Sequence, residues 1–248
     1  MPWQAVETIP FRVGADVAPA RAAAIRDALL RRAVPLSRLV HGRLEPLATA
    51  SLVIDGPDRA VLTAAHVFEQ ASVGDLVIPL PREGRLLMLR STRLRVVAHP
   101  QFDIALLWFA DRSISERLCA NWMACPLRQW CGPGARRAPL YAIAGYPAAS
   151  ARRAEGCVYV KPVVLFTGAL DGVRYAYART AFRVDGLEIH TPELDGVSGA
   201  TVWAVEAEEA GEVDCVLRPA AIQVAFNHGR HVRGEPIVGA ADLLARRH

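Results

Sequence analysis

Between Leu47 and Phe109 the chain is cut into short apolar runs, "LATASLVID", "AVLTAAHV", "DLVIPL", "GRLLMLR", "RLRVVAHP" and "DIALLWF", with Gly, Pro, Asp or Arg at their borders. Runs of roughly five to nine residues are strand-length and too short for core helices. The first two flank "GPDR", whose Gly-Pro-Asp chemistry predicts a hairpin turn. Many short strands separated by turns predict a barrel or sandwich rather than a helix-layered sheet. The rhythm breaks over 111–137, "DRSISERLCANWMACPLRQWCGPGARR", which mixes a helical turn with Pro and Gly and reads as a connector. Strand-like runs resume at "PLYAIAGYP", "CVYVKPVVLFTGAL", "VRYAYARTAFRV", "LEIHTP", "ATVWAVE" and "AAIQVAFN", and "GAADLLARR" closes the chain as a short helix. The organisation is a 1–42 extension, a β-rich half over 43–112, a linker over 113–137 and a second β-rich half with the closing helix over 138–248. In the extension, Ile25, Leu29 and Leu30 recur at helical spacing with Arg21, Arg26, Arg31 and Arg32 between them, so an amphipathic helix ending before Pro35 is expected. The acidic "EAEEAGEVD" (206–214) reads as a solvated hairpin loop.

Composition narrows the function classes. A chain of 248 residues with 52% apolar residues can bury a large core. Its longest apolar stretches fall short of the roughly 20 residues a membrane-spanning helix needs. The N-terminal "MPWQAVETIPFRVGADVAPA" has neither the basic start nor the apolar segment of a secretory signal, so a cytoplasmic protein is expected. Cys119, Cys125, Cys131, Cys157 and Cys215 are odd in number and none sits in a CxxC spacing, which points to reduced thiols and no metal clamp. Net charge is +4, yet Lys161 is the only lysine and the Arg-Arg pairs are scattered rather than gathered in one patch. Neither nucleic acid nor a membrane is expected as a partner.

The stretch "TPELDGVSGATVW" (191–203) sets Ser198 near two glycines at the mouth of an apolar run. Gly and Ser are also ordinary loop residues, so the stretch alone leaves a turn and a nucleophile equally open. A serine hydroxyl is a weak nucleophile until a neutral imidazole takes its proton and a third group fixes that imidazole's tautomer. Of the seven histidines, His66 in "VLTAAHVF" has the best-defined setting; His99, in "AHPQ", reads as a strand-end residue. Asp103 in "HPQFDIALLWF" is one charge leading into an apolar strand, costly to bury unless something pairs with it. Read singly, it is equally a turn-capping aspartate.

Together, "LTAAHV", "FDIALL" and "DGVSGATVW" resemble the His, Asp and Ser segments of the trypsin-like (chymotrypsin-fold) serine peptidases, in that family's chain order. The resemblance spans about residues 43–240. It implies an all-β fold of two six-stranded antiparallel barrels with a cleft between them, and a catalytic triad of Ser198 as nucleophile, His66 as general base and acid, and Asp103 as orienting carboxylate. The backbone N–H groups of Gly196 and Ser198 would form the oxyanion hole. A protein or peptide substrate is implied and no cofactor.

Three departures stand out. Val197 occupies the place where secreted members carry an aspartate that pairs with a newly cut N-terminus, so activation by trimming is not expected. Val67 replaces a cysteine common after the histidine, and Thr201 stands where proline is common. By the same resemblance the substrate pocket is walled by Pro192 and Leu194 on one side and by Gln223, Val224 and Phe226 on the other. No aspartate marks its base, so cleavage after Arg or Lys is not expected, and an apolar or shallow pocket is. His190, His228, Arg230, His231 and Arg233 offer an alternative cradle for an acidic side chain. A narrow substrate range or control by an activating or scaffolding protein is expected, with the helix at 20–33 as a docking surface. A peptide-binding module on the same fold, without catalysis, is the competing expectation.

Overall fold

The computed structural model describes residues 3–5, 10–13, 17, 19–126, 138, 140–154, 157–177, 181–184, 187–190, 193–207, 215–227 and 230–246. Two curled sheets carry the fold. The first runs, in spatial order, Arg85–Met88, Leu76–Leu80, Ala33–Val40, Arg43–Asp55, Asp58–Thr63, Ala105–Phe109, Leu94–Ala98, all antiparallel. The dipeptide Cys125–Pro126 adds an eighth, parallel strand beside Arg43–Asp55. The second runs Arg174–Ala176, His231–Pro236, Cys215–Asn227, Thr201–Ala207, Leu140–Gly145, Val163–Thr167, six antiparallel strands, with Pro10–Val13 laid parallel along its last edge. This is the all-β, chymotrypsin-like double barrel. The first sheet thus has seven antiparallel strands where six were expected, and the parallel additions are short segments: Pro10–Val13 on the edge strand Val163–Thr167, and Cys125–Pro126 beside Val53 and Ile54, past the end of their strand's pairing with Ala33–Val40.

Local chemistry explains most boundaries. The "GPDR" hairpin closes as expected, with Asp55 opposite Asp58. The run "CVYVKPVVLF" does not form one strand. Pro162 has no N–H for a ladder, and the chain leaves Cys157–Val160 in a small separate sheet with Trp3–Ala5 and Ala151–Ala154 before Val163–Thr167 joins the second sheet. The connector holds a ten-residue helix, Arg112–Asn121, capped by Asp111, whose carboxylate accepts from the Ser113 N–H at 2.8 Å. The acidic 208–214 stretch and 127–137 of the linker lie outside the described residues.

The first sheet begins earlier than the extension boundary at 42 suggests, because Ala33–Val40 is one of its inner strands. Ahead of it, helix Pro19–Leu30 starts on Pro, whose missing N–H costs nothing at that position. Its Ala22, Ile25 and Leu29 are fully buried with Phe166, Val164 and Trp203 of the second sheet. That apolar stripe is therefore occupied by the protein's own core and is not a free docking surface.

The closing helix, Val238–Ala245, packs where its sequence position does not suggest. Ile237, Ala240, Leu243 and Leu244 share one core with Leu62 and Leu106 of the first sheet and with Ile104 just before its strand Ala105–Phe109, and Ile222 and Val224 of the second sheet enter the same core. Both sheets thus meet around a continuous apolar interior, and the seam between them carries the candidate residues.

Candidate active site

His66 follows the buried strand Asp58–Thr63 and caps the short helix Val67–Gln70, where its carbonyl accepts from the Glu69 N–H at 3.0 Å. Asp103 sits in the turn before Ala105–Phe109. Its carboxylate takes two hydrogen bonds from one residue: the His66 backbone N–H donates to Oδ1 at 2.8 Å, and the ring Nδ1 pairs with Oδ2 at 2.6 Å. An ionised carboxylate only accepts, so Nδ1 carries a proton, and in the neutral ring the lone pair lies on Nε2. Both side chains are three-quarters buried. That burial pushes the Asp103 carboxyl up, but the hydrogen bonds and charge of His66, with the Ala65 amide, outweigh it and hold the group below its ordinary value.

His99, read from sequence as a strand-end residue, builds the turn that carries Asp103. Its ring Nδ1 accepts from the N–H groups of Gln101 and Phe102, each at 3.1 Å, and its own N–H donates to the Ile104 carbonyl at 2.8 Å. The ring is buried and lies 4.7 Å from that of Phe102. The closing helix lies against this turn, with Gly239 in close contact with Phe102 and Ile104. The short spacing from His99 to Asp103 is the sequence signal that could have indicated the arrangement.

Ser198 lies in the loop 193–200 between the sheets. Its neighbours on both sides are pinned. Gly199 donates to the Gln223 carbonyl at 2.7 Å, Gln223 donates to the Ala200 carbonyl at 2.8 Å, and the Ser198 carbonyl accepts from the Thr49 N–H at 2.9 Å. Gly199 has φ of 89°, and a Cβ there would run into Thr63 Oγ1, the Thr49 carbonyl and the Ala64 N–H. Only glycine fits, and this close approach brings the residue after Ser198 against the strand end two residues before His66. Among the described residues the Ser198 hydroxyl makes no hydrogen bond, to His66 or otherwise; such contacts commonly tighten only when substrate is bound.

Gly196 also has φ of 89°, and a Cβ there would meet the Tyr146 carbonyl and the Ala148 nitrogen, each at 2.8 Å. The turn is fixed by the Val197 N–H donating to the Leu194 carbonyl at 2.9 Å and the Ala148 N–H donating to the Asp195 carbonyl at 2.6 Å. The N–H groups of Gly196 and Ser198 make no hydrogen bond among the described residues. Two unused donors in one turn can donate to a negatively charged oxygen.

Val197 is completely buried, packed with Leu194, Ala200 and Val202 and tight against Gly145. An apolar contact thus holds the loop at Val197. Thr201 is used as well: its hydroxyl lies 2.8 Å from that of Ser51, a buried bond between the two sheets.

The expected pocket residues divide. Leu194 is buried in the second-sheet core, and Phe226 is half-buried against it. Val224 points into the shared core with Ile222 and Leu243, so its side chain is spent on packing rather than lining a pocket. Gln223, between them on the strand, faces the other way and is fully buried. Pro192 lies outside the described residues. Of the alternative acidic-side-chain cradle, Arg233 pairs with Glu235 at 3.5 Å, while His228 and the His190 side chain are not described.

No protein-family model matches the chain, and no curated protein matches it. Solved structures do. One, from work on the coupled folding and binding of the Sesbania mosaic virus VPg protein, is 13% identical with a TM-score of 0.50, covering 86% of this chain and 90% of that one. Another is a scabies mite inactivated protease paralogue, 11% identical with a TM-score of 0.48, covering 94% of this chain and 97% of that one. At 13% identity the first likeness is one of fold.

Proposed function

We propose that the protein is a serine endopeptidase that cuts peptide bonds through an acyl-enzyme formed on Ser198. The observation that supports the reading is the double grip of Asp103 on His66, which orients the ring through its backbone N–H and Nδ1. In this scheme Nε2 takes the Ser198 proton as Oγ attacks the substrate carbonyl. The oxyanion forms against the N–H groups of Gly196 and Ser198, and the imidazolium, stabilised by Asp103, then protonates the leaving amine. Water, deprotonated by the same Nε2, releases the acyl group.

A fluorophosphonate probe tests this directly. Wild type should be labelled at Ser198, Ser198→Ala should not, and His66→Ala should slow labelling by about 10³-fold or more. Absence of labelling in wild type would end the proposal and favour a non-catalytic peptide-binding module. Confinement to a narrow or partner-controlled protein substrate is proposed with it, and broad degradation of casein by the isolated protein would refute that part.

A further inference from the structure

Thr49, which carries no chemistry of its own, grips the Ser198 loop from the first sheet at several points. Its N–H donates to the Ser198 carbonyl at 2.9 Å, its hydroxyl donates to the Gly196 carbonyl at 3.0 Å, and the same Oγ1 accepts from the Tyr146 N–H at 3.0 Å. Its carbonyl accepts from the Thr63 hydroxyl at 3.0 Å. One side chain and its backbone therefore hold both residues whose N–H groups stand open, the strand end at Tyr146, and the strand that leads to His66.

The residue can do this because of where it sits on its strand. The pairing of Arg43–Asp55 with Asp58–Thr63 ends at Ser51 opposite Leu62. Thr49 lies two residues beyond it, so its backbone N–H and C=O on that side are left to Ser198 and Thr63. The hydroxyl is completely buried, so every bond it makes is formed away from competing water. Fixing the Gly196 carbonyl fixes the plane of the peptide that follows it, and fixing the Ser198 carbonyl does the same one residue beyond the nucleophile.

We infer that Thr49 is the positioning residue of this site: it orders the Ser198 loop from across the seam, so that folding alone produces the competent loop and no cut at the N-terminus is required. The consequence for catalysis rests on the peptidase reading above; the latch itself does not. Thr49→Val keeps the shape and removes the hydroxyl, orphaning the Gly196 carbonyl and the Tyr146 N–H. Thr49→Ser keeps the hydroxyl.

The test combines fluorophosphonate labelling rates with amide hydrogen exchange read at Tyr146. In Thr49→Val the labelling rate should fall about 10- to 100-fold and Tyr146 exchange should rise by a similar factor, the range expected when buried groups lose one partner. Thr49→Ser should restore both to within about threefold. Thr49→Val that labels at the wild-type rate and keeps Tyr146 protected overturns the inference, as does Thr49→Ser behaving like Thr49→Val. If wild type is not labelled, the peptidase reading fails and exchange alone decides the latch. If Thr49→Val does not fold, the wild-type protein decides: a Tyr146 amide exchanging as fast as an exposed loop refutes the latch, and core-like protection supports it.

Discussion

The contact between Gly145 and Val197 is tight enough to predict what one added methyl group does. An ideal Cβ on Gly145 would lie 2.7 Å from Val197 Cγ1, 3.0 Å from Thr49 Oγ1 and 3.3 Å from Val197 Cβ. Optimal carbon contacts are about 3.5–4.0 Å, so Val197 would have to move by nearly 1 Å. Val197 and Thr49 are both completely buried and have nowhere to go. Overpacking of this kind costs about 1–3 kcal/mol, offset by about 0.4–1 kcal/mol because alanine has less freedom than glycine to lose on folding. Gly145→Ala is therefore expected to destabilise by about 1–2 kcal/mol, a fall in Tm of roughly 2–8 °C for a chain of this size. Val197→Ala removes the clashing Cγ1 and alone costs about 2 kcal/mol in lost burial and cavity. Urea-unfolding midpoints of both single variants and the double variant form a cycle. The double should be more stable than the sum of the singles by about 1 kcal/mol, since the second change relieves the first. Additivity within about 0.5 kcal/mol, or a Gly145→Ala as stable as wild type, would refute the claim that packing at Val197 holds this loop.

Gly199→Ala should be far worse, because φ is 89° and the obstacles are backbone and a buried hydroxyl; loss of the cooperative thermal transition is expected, and a Tm within a few degrees of wild type would contradict it. Asp103 has its folded pKa held below its unfolded value, so its contribution to stability is full above the unfolded pKa of about 3.9 and is lost as pH falls through the folded one. Wild type should accordingly exceed Asp103→Asn in urea midpoint at neutral pH, and the gap should shrink as pH falls below about 3.9; a gap unchanged in acid would refute the ionised pair. Cys119 is exposed, whereas burial pushes the Cys125 thiol up to about 12 despite the opposing pull of Arg32. Iodoacetamide at mild alkaline pH should modify Cys119 in the native protein and Cys125 only after unfolding, read by peptide mapping.

The candidate site at His66, Asp103 and Ser198 was legible as a pattern because each lies in a short segment of strand and small residues that fixes where its side chain sits. The two-sheet architecture was legible for a similar reason, since strand length and turn residues are local properties. Thr49 was not, because its hydroxyl partners lie 97 and 147 residues away and nothing in "LATASLVID" distinguishes a buried threonine that latches from one that packs. The pocket residues were legible only in part. Val224 and Gln223 are adjacent on one strand, and which of them faces the shared core depends on a register that the second sheet sets. Helix Pro19–Leu30 was found by its period, but the period cannot tell a stripe buried by the chain itself from one offered to a partner.

The placement of the closing helix has a consequence for how the protein comes into being. Ile237, Ala240, Leu243 and Leu244 complete the core beneath Ile104, and Gly239 rests on the turn that presents Asp103. A chain emerging from the ribosome has made His66, Asp103 and Ser198 well before residue 244. Until that residue is out, the turn that presents Asp103 lacks the packing of Ile237, Ala240, Leu243 and Leu244 and the support of Gly239.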